Sequence, residues 1–162
     1  MQGKKNKRFR NILHFYEVNF NFRGPYTVLL DGNFIARANK IGLNLQRKLA
    51  HIFKQKIYLQ TTKCVKNELR LLGSKFEHVY EDAMRYREAR CLHDMAIEPS
   101  VCFEKHAGSL NKRQYIIATC DYKLIKALDD VPKVPIVTFV SDNVLQVREP
   151  GPASLKLVGK KD

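Results

Sequence analysis

The chain has 162 residues, with 29 Lys and Arg against 16 Asp and Glu, a formal net charge of +13. Apolar residues make up 44% and charged residues 28%, the balance of one folded domain and not of a disordered chain. The surplus of cations points to a polyanionic partner, either nucleic acid or an acidic membrane surface.

No apolar run nears the roughly 20 residues of a membrane-spanning helix. The basic start MQGKKNKRFR does not read as a secretory signal. The four cysteines, Cys64, Cys91, Cys102 and Cys120, are therefore expected as reduced thiols or metal ligands in the cytosol or nucleus.

Taken in chain order, Lys4, Lys5, Lys7, Arg8 and Arg10 form an acid-free run, suited to an import signal, an RNA-contacting arm or a solvated tail. The aromatic stretch 11–22 has near-helical spacing at Ile12, Phe15, Val18, Asn19 and Phe22, and its rings are expected to pack on the domain. Arg23-Gly24-Pro25 ends that helix. YTVLLD (26–31) reads as a buried strand, 33–54 as helix interrupted at Ile41-Gly42, and KIYLQT (56–61) as a second strand. Thr61 or Thr62 can cap a helix ending at Leu72-Gly73. Residues 74–90 read as one further helix with a Glu81–Arg85 pair at i,i+4. The segment 91–101 is irregular and 102–107 a short helix. QYIIATC (114–120) is a third strand, 122–129 a helix and PIVTFV (135–140) a fourth strand. The short segment NVLQV (143–147) and a Pro/Gly tail close the chain.

Strands alternating with helices imply parallel βαβ units, and continuous apolar strands imply a sheet covered on both faces. Sites in such sheets form outside the carboxyl ends of the strands. Asp31 ends the first strand and Asp121 follows the third, while Glu68 falls among Cys64, Val65, Leu69, Leu71 and Leu72 in the helix after the second. An acid on an apolar helix face is costly unless paired or bound to a cation. Three converging carboxylates suit Mg²⁺ or Mn²⁺, which beside RNA could activate water. The competing reading is that Asp31 and Asp121 cap the helices behind them and that Glu68 pairs with an Arg. LLDGNF and ATCDYK match neither phosphate-binding nor dinucleotide glycine patterns, and no small-molecule substrate is expected.

Cys91-x-His93 and Cys102-x₃-His106 supply two thiols and two imidazoles within one short stretch, as a tetrahedral structural zinc site requires. Cys102 and His106 at i,i+4 face the same way. The competing reading is a set of unrelated side chains. Cys64 and Cys120 read as small core residues.

GPYTVLLDGNF, TTKCVKNELRLLG, IIATCDYKL and VPKVPIVTFV, in this order and spacing, resemble the PIN-domain ribosome-biogenesis proteins of the small-subunit processome over roughly residues 7–158. That family has a catalytic branch that cleaves pre-rRNA and a zinc-containing branch described as non-catalytic. LLDGNF, the basic start, Cys-x-His and REPGPAS resemble the second.

The resemblance implies an α/β PIN-like domain over 24–148, three-layered around a mainly parallel four- to five-stranded sheet. A basic arm and helix (1–23) would precede it, a zinc knuckle (91–106) would be inserted, and a tail (149–162) would follow. It implies a nuclear, nucleolar protein contacting pre-rRNA, an H/ACA-class small nucleolar RNA and other processome proteins. Asp31, Glu68 and Asp121 match three of four family acids. The fourth should precede Cys102, where Ser100 and Val101 stand, with Glu98 and Glu104 out of register. The family's earlier zinc cysteine falls at Tyr86, so either His106 replaces it or the site is incomplete.

The expected function is therefore a non-catalytic RNA-binding assembly factor. Lys4, Lys5, Lys7, Arg8, Arg10, Lys63, Lys66, Arg70, Arg85, Arg87, Arg90, Lys112, Arg113, Lys123 and Lys126 are its candidate phosphate contacts. An active metal-dependent endoribonuclease, with Glu98 recruited, and a mainly protein-binding scaffold are the alternatives.

Overall fold

A computed structural model describes residues 2–160. The chain runs α1 (Gln2–Phe20), β1 (Tyr26–Leu30), α2 (Gly32–Lys40), α3 (Leu45–Phe53), β2 (Ile57–Thr61), α4 (Lys63–Leu71), α5 (Glu77–Arg85), β3 (Arg87–Glu88), α6 (Pro99–Ala107), β4 (Tyr115–Ala118), α7 (Tyr122–Leu128), β5 (Ile136–Val140), β6 (Val144–Val147) and α8 (Pro152–Gly159).

The strands form one six-stranded sheet in the order β3-β2-β1-β4-β5-β6. All neighbours are parallel except β5 and β6. The sheet thus exceeds the four to five strands expected from sequence. The additions are its two edges: β3, two residues long, and β6, whose burial alternates along one exposed edge. From β1 the chain winds outward through β2 to β3, then returns across the sheet to β4. Helices α2–α5 fill the connections from β1 to β3, and α6 and α7 those from β3 to β5. The reversal falls between β1 and β4, where a crevice opens at the carboxyl ends.

The basic residues 4–10 stand on the first turns of α1. Phe9, Ile12, Leu13, Tyr16 and Phe20 are buried in the same core as the sheet. Val18, placed inward by the spacing argument, is 67% exposed, because the buried stripe follows the i+3/i+4 series from Phe9 to Phe20. Edge-to-face and tilted rings run from Phe15 through Tyr16, Phe22 and Tyr26 to Phe53, with Phe20 against both Phe15 and Tyr16. This aromatic chain fastens α1 to α3 and β1. The tail is also ordered. Ser154 Oγ accepts from Lys133 N–H (2.9 Å), Ala153 N–H donates to Asp129 O (3.1 Å) and Arg148 pairs with Asp129 at 3.1 Å.

Two glycines break helices where left-handed backbone is needed: Gly42 (φ 65°) separates α2 from α3, and Gly73 (φ 84°) follows α4. The helix expected over 74–90 is shorter. A 3-10 turn, Ser74–Phe76, leads into α5, which stops at Arg85 and gives way to β3. Arg85 pairs with Asp82 at i,i+3 (3.8 Å) and not with Glu81.

Since α1 is part of the core, Leu13→Ala should cost about 2–5 kcal/mol. Urea unfolding of the full chain measures this; a change below about 1 kcal/mol would mean that α1 is a detachable arm.

Candidate functional site: an acid crevice backed by a thiol cluster

The carboxyl ends of β1 and β4 lie side by side, with Leu30 paired to Ala118. Asp31 N–H continues the ladder to Ala118 O (2.9 Å), which turns its side chain into the crevice. Asp31 is 5% exposed. Its Oδ1 accepts from Gly32 N–H (2.8 Å) and its Oδ2 from the Thr119 hydroxyl (2.7 Å). Thr119 Oγ1 in turn accepts from Asp121 N–H (3.0 Å), and Asp121 Oδ1 caps α7 through Lys123 N–H (3.0 Å) and Leu124 N–H (3.4 Å). Both aspartates therefore cap helices and also line the crevice; the two readings coexist.

Glu68 reaches the crevice from α4 but lies on an exposed side of that helix. Cys64, Val65 and Leu69 form its buried stripe, while Leu71 and Leu72 are 69% and 50% exposed. Among the described residues no Lys or Arg ion-pairs with Glu68. Glu98, the N-cap of α6, faces the same space. Partial burial, then Asp31, Glu98 and Asp121, raise the Glu68 carboxyl above its ordinary range. Burial raises Asp31, opposed by the bonds from Thr119 and Gly32. Val101, one turn beyond Glu98, carries no ligating atom. Among the described residues, the crevice acids do not gather into a group whose ligand atoms lie within 4.8 Å of one another.

A tighter group stands behind them. Thr61 pairs with Glu88, so Cys64 and Cys91, each three residues further on, leave parallel strands at the same level. Cys64, Cys91, His93 and Cys102 place their ligand atoms within 4.8 Å of one another. Cys91 Sγ is 3.6 Å from Cys102 Sγ; His93 Nε2 is 3.3 Å from Cys102 Sγ and 3.6 Å from Cys64 Sγ. Tetrahedral zinc, with bonds of about 2.3 Å to sulfur and 2.0–2.1 Å to nitrogen, gives ligand–ligand edges of about 3.5–3.8 Å. The donors thus fit a tetrahedral ion such as zinc. Burial pushes the Cys91 and Cys102 thiols up, so thiolates there need a cation beside them.

Cys64 is therefore not merely a core residue: it takes the position for which the sequence offered only Tyr86 or His106. The sequence signal was present, a cysteine directly after β2, but the two-residue β3 that brings Cys91 beside it has no periodicity to detect. His106 is buried on α6, with Nε2 3.4 Å from Cys91 Sγ, outside the group of four. Cys120 is half-buried, its N–H donating to Asn33 Oδ1 (3.1 Å).

Three candidate phosphate contacts are occupied within the protein. Lys63 Nζ donates to the carbonyls of His93 (3.0 Å) and Asp94 (2.7 Å). Lys66 meets Glu88 at 3.4 Å and Tyr86 O at 3.2 Å. Arg113 donates to Arg90 O at 2.9 Å. Arg8 pairs with Glu149 but both remain exposed, and Arg10 reaches Ile52 O (3.3 Å). Lys4, Lys5, Lys7, Arg70, Arg85, Arg87, Arg90, Lys112, Lys123 and Lys126 are exposed.

Two outcomes follow from this geometry. Purified protein should carry about one tetrahedral metal ion per chain, lost in Cys64→Ser and retained in Cys120→Ser; elemental analysis decides. Glu68→Gln should raise Tm at pH 7 without added divalent ions, because the charged form is repelled by Asp31, Glu98 and Asp121. A raised folded-state value means protons bind the folded form more tightly. The gain should therefore shrink as pH falls through that value, and a gain equal at pH 7 and pH 4 would contradict this electrostatic origin.

Comparison with known proteins agrees with the fold. The profile of the Fcf1 family matches residues 51–148. The rRNA-processing protein utp23 of Schizosaccharomyces pombe is 31% identical over 85% of this chain and 54% of its own length. The rRNA-processing protein FCF1 homolog of Homo sapiens is 27% identical over 80% of this chain and 64% of its own. The chain thus spans between half and two-thirds of these relatives. The solved PIN domain of the endonuclease Utp24 superposes with a TM-score of 0.67 at 24% identity, covering 77% of this chain and 92% of that one. With its α/β sheet, its acids at the β1–β4 switch point and these matches, the chain belongs to the Fcf1 family of PIN-domain proteins.

Proposed function

We propose that the chain acts in small-subunit ribosome biogenesis as an RNA-binding factor that does not cut its RNA. The single observation that carries the non-cutting part is Val101: the position preceding Cys102, where the family resemblance calls for a fourth carboxylate, holds a valine. Divalent-ion catalysis of RNA cleavage needs a precisely held ion and water, and this crevice lacks one of the holders. Names of the matched relatives, rRNA-processing proteins, support pre-rRNA as the partner. An H/ACA-class small nucleolar RNA, neighbouring processome proteins and a nucleolar location complete the reading, with zinc as the ion in the thiol cluster.

Charge distribution supports RNA binding. Residues 32–67 contain eight Lys and Arg and no acid, and residues 2–30 contain six with Glu17 alone against them. Glu17 itself accepts from the Tyr26 hydroxyl (2.5 Å). In space α1 packs on α3. Lys4, Lys7, Asn11 and His14 lie along the outward side of α1, and Arg47, His51 and Lys54 are exposed on α3. This surface offers hydrogen-bond donors and positive charge with little competing carboxylate, as a phosphodiester backbone requires. Arg47 and Lys54 were not among the candidates drawn from sequence.

Glu98 favours a second reading, a metal-dependent endoribonuclease with a substitute acid, because its charge is felt at Glu68.

Wild-type protein incubated with single-stranded RNA and Mn²⁺ should leave it intact. Cleavage that disappears in Asp31→Asn would establish the endoribonuclease instead. Changing Lys4, Lys7, Arg47 and Lys54 together to Glu should weaken RNA binding at physiological salt at least tenfold. It should also flatten the slope of log K against log salt by about 3. Fluorescence anisotropy at several salt concentrations measures both quantities, and an unchanged slope would remove this face from the RNA contact.

A further inference from the structure

Two histidines border the thiol cluster, and each presents Nε2 to sulfur. Their outer nitrogens have opposite partners. His93 Nδ1 lies 2.6 Å from Met95 O. A carbonyl can only accept, so Nδ1 carries the proton and the Nε2 lone pair faces Cys102 and Cys64. His106 Nδ1 lies 3.2 Å from Arg113 Nη1. A guanidinium can only donate, so Nδ1 supplies its lone pair to Arg113 and the single proton sits on Nε2, 3.4 Å from Cys91 Sγ. A half-turn of the ring would put carbons opposite Arg113 and Cys91 and lose both contacts, so the ring orientation is the one that satisfies both.

We infer that His106 is a positioning residue for the metal cluster, donating an N–H to the Cys91 thiolate, and that Arg113 assigns it that role. The surroundings make the assignment rigid. His106 is 5% exposed. Its ring meets the Tyr115 ring edge-on at a centroid distance of 5.7 Å. The Arg113 guanidinium also donates to the carbonyl of Arg90 (2.9 Å), the residue directly before Cys91. One arginine therefore anchors both the backbone that carries the thiolate and the imidazole that donates to it. A hydrogen bond to a ligating sulfur fixes its side-chain rotamer and withdraws electron density from it. Partners of this kind typically change metal affinity by about 10–100-fold. This inference concerns the cluster alone and holds whether or not the protein cuts RNA.

The test uses the full chain loaded with zinc, and in parallel with ¹¹³Cd²⁺. Long-range ¹H–¹⁵N NMR of the zinc form should show His93 as the Nδ1–H tautomer and His106 as the Nε2–H tautomer. In the cadmium form, scalar coupling to the metal should reach Cys64, Cys91, Cys102 and His93 but not His106. A metal coupling to His106, or an Nδ1–H tautomer there, would overturn the assignment. His106→Phe should still bind one metal ion per chain and keep the visible spectrum of a three-sulfur, one-nitrogen Co²⁺ site. It should release zinc to a chromogenic chelator at least tenfold faster, with His106→Gln, which keeps an N–H donor, partly restoring the wild-type rate. Loss of stoichiometric metal in a folded His106→Phe protein would make His106 a ligand. Release at the wild-type rate would remove the donor role.

Discussion

Parallel pairing of β1 between β2 and β4 is the constraint on which the molecule depends. It fixes Leu30 beside Ala118 and so brings together Asp31 and Asp121, acids separated by most of the chain. The Thr119 hydroxyl completes the link, accepting from the backbone of Asp121 and donating to the carboxylate of Asp31. The register from β2 to β3 does the same for sulfur, since Thr61 and Glu88 are paired and Cys64 and Cys91 follow them in step. Two sites of different chemistry therefore arise from one sheet, hard oxygen at the switch point and soft sulfur at its outer edge.

Relatives of this chain include proteins named for rRNA processing and a solved endonuclease PIN domain. In this chain Val101 stands where the resemblance calls for an acid, and the surface over α1 and α3 is poor in carboxylates. A large positive charge costs self-repulsion in a free domain. It becomes favourable once an RNA backbone supplies the counter-charge, which suits a protein working inside a ribonucleoprotein particle.

Much of this was legible in the residues because it rests on local signals. The apolar runs of β1, β4 and β5 announce buried strands, Thr62 announces the start of α4, and Asp31 and Asp121 at strand ends announce a crevice. What escaped has weak local signals. β3 is too short for any periodicity, so the residue pattern carries the helix of α5 on through it and gives no sign that Cys64 meets Cys91. The helix α8 hides in a Pro- and Gly-rich segment, because Pro at the first turn is compatible with helix and its stability comes from docking on Asp129 and Lys133. Lys63 and Lys66 looked like RNA contacts, yet tertiary structure uses them to hold the loop after β3 and the β2–β3 edge. A list of charges does not show which have already found an acceptor.

The two sites are joined by helical phase. On α4, Cys64 stands one turn before Glu68; on α6, Glu98 stands one turn before Cys102, whose N–H donates to Glu98 O at 3.0 Å. A metal ion held by Cys64 and Cys102 would tie the two helices together at that level, one turn from each glutamate. The width of the acidic mouth would then follow the sulfur–metal bond length, and a thiol-reactive oxidant or a stronger chelator would be felt there although it never touches an oxygen.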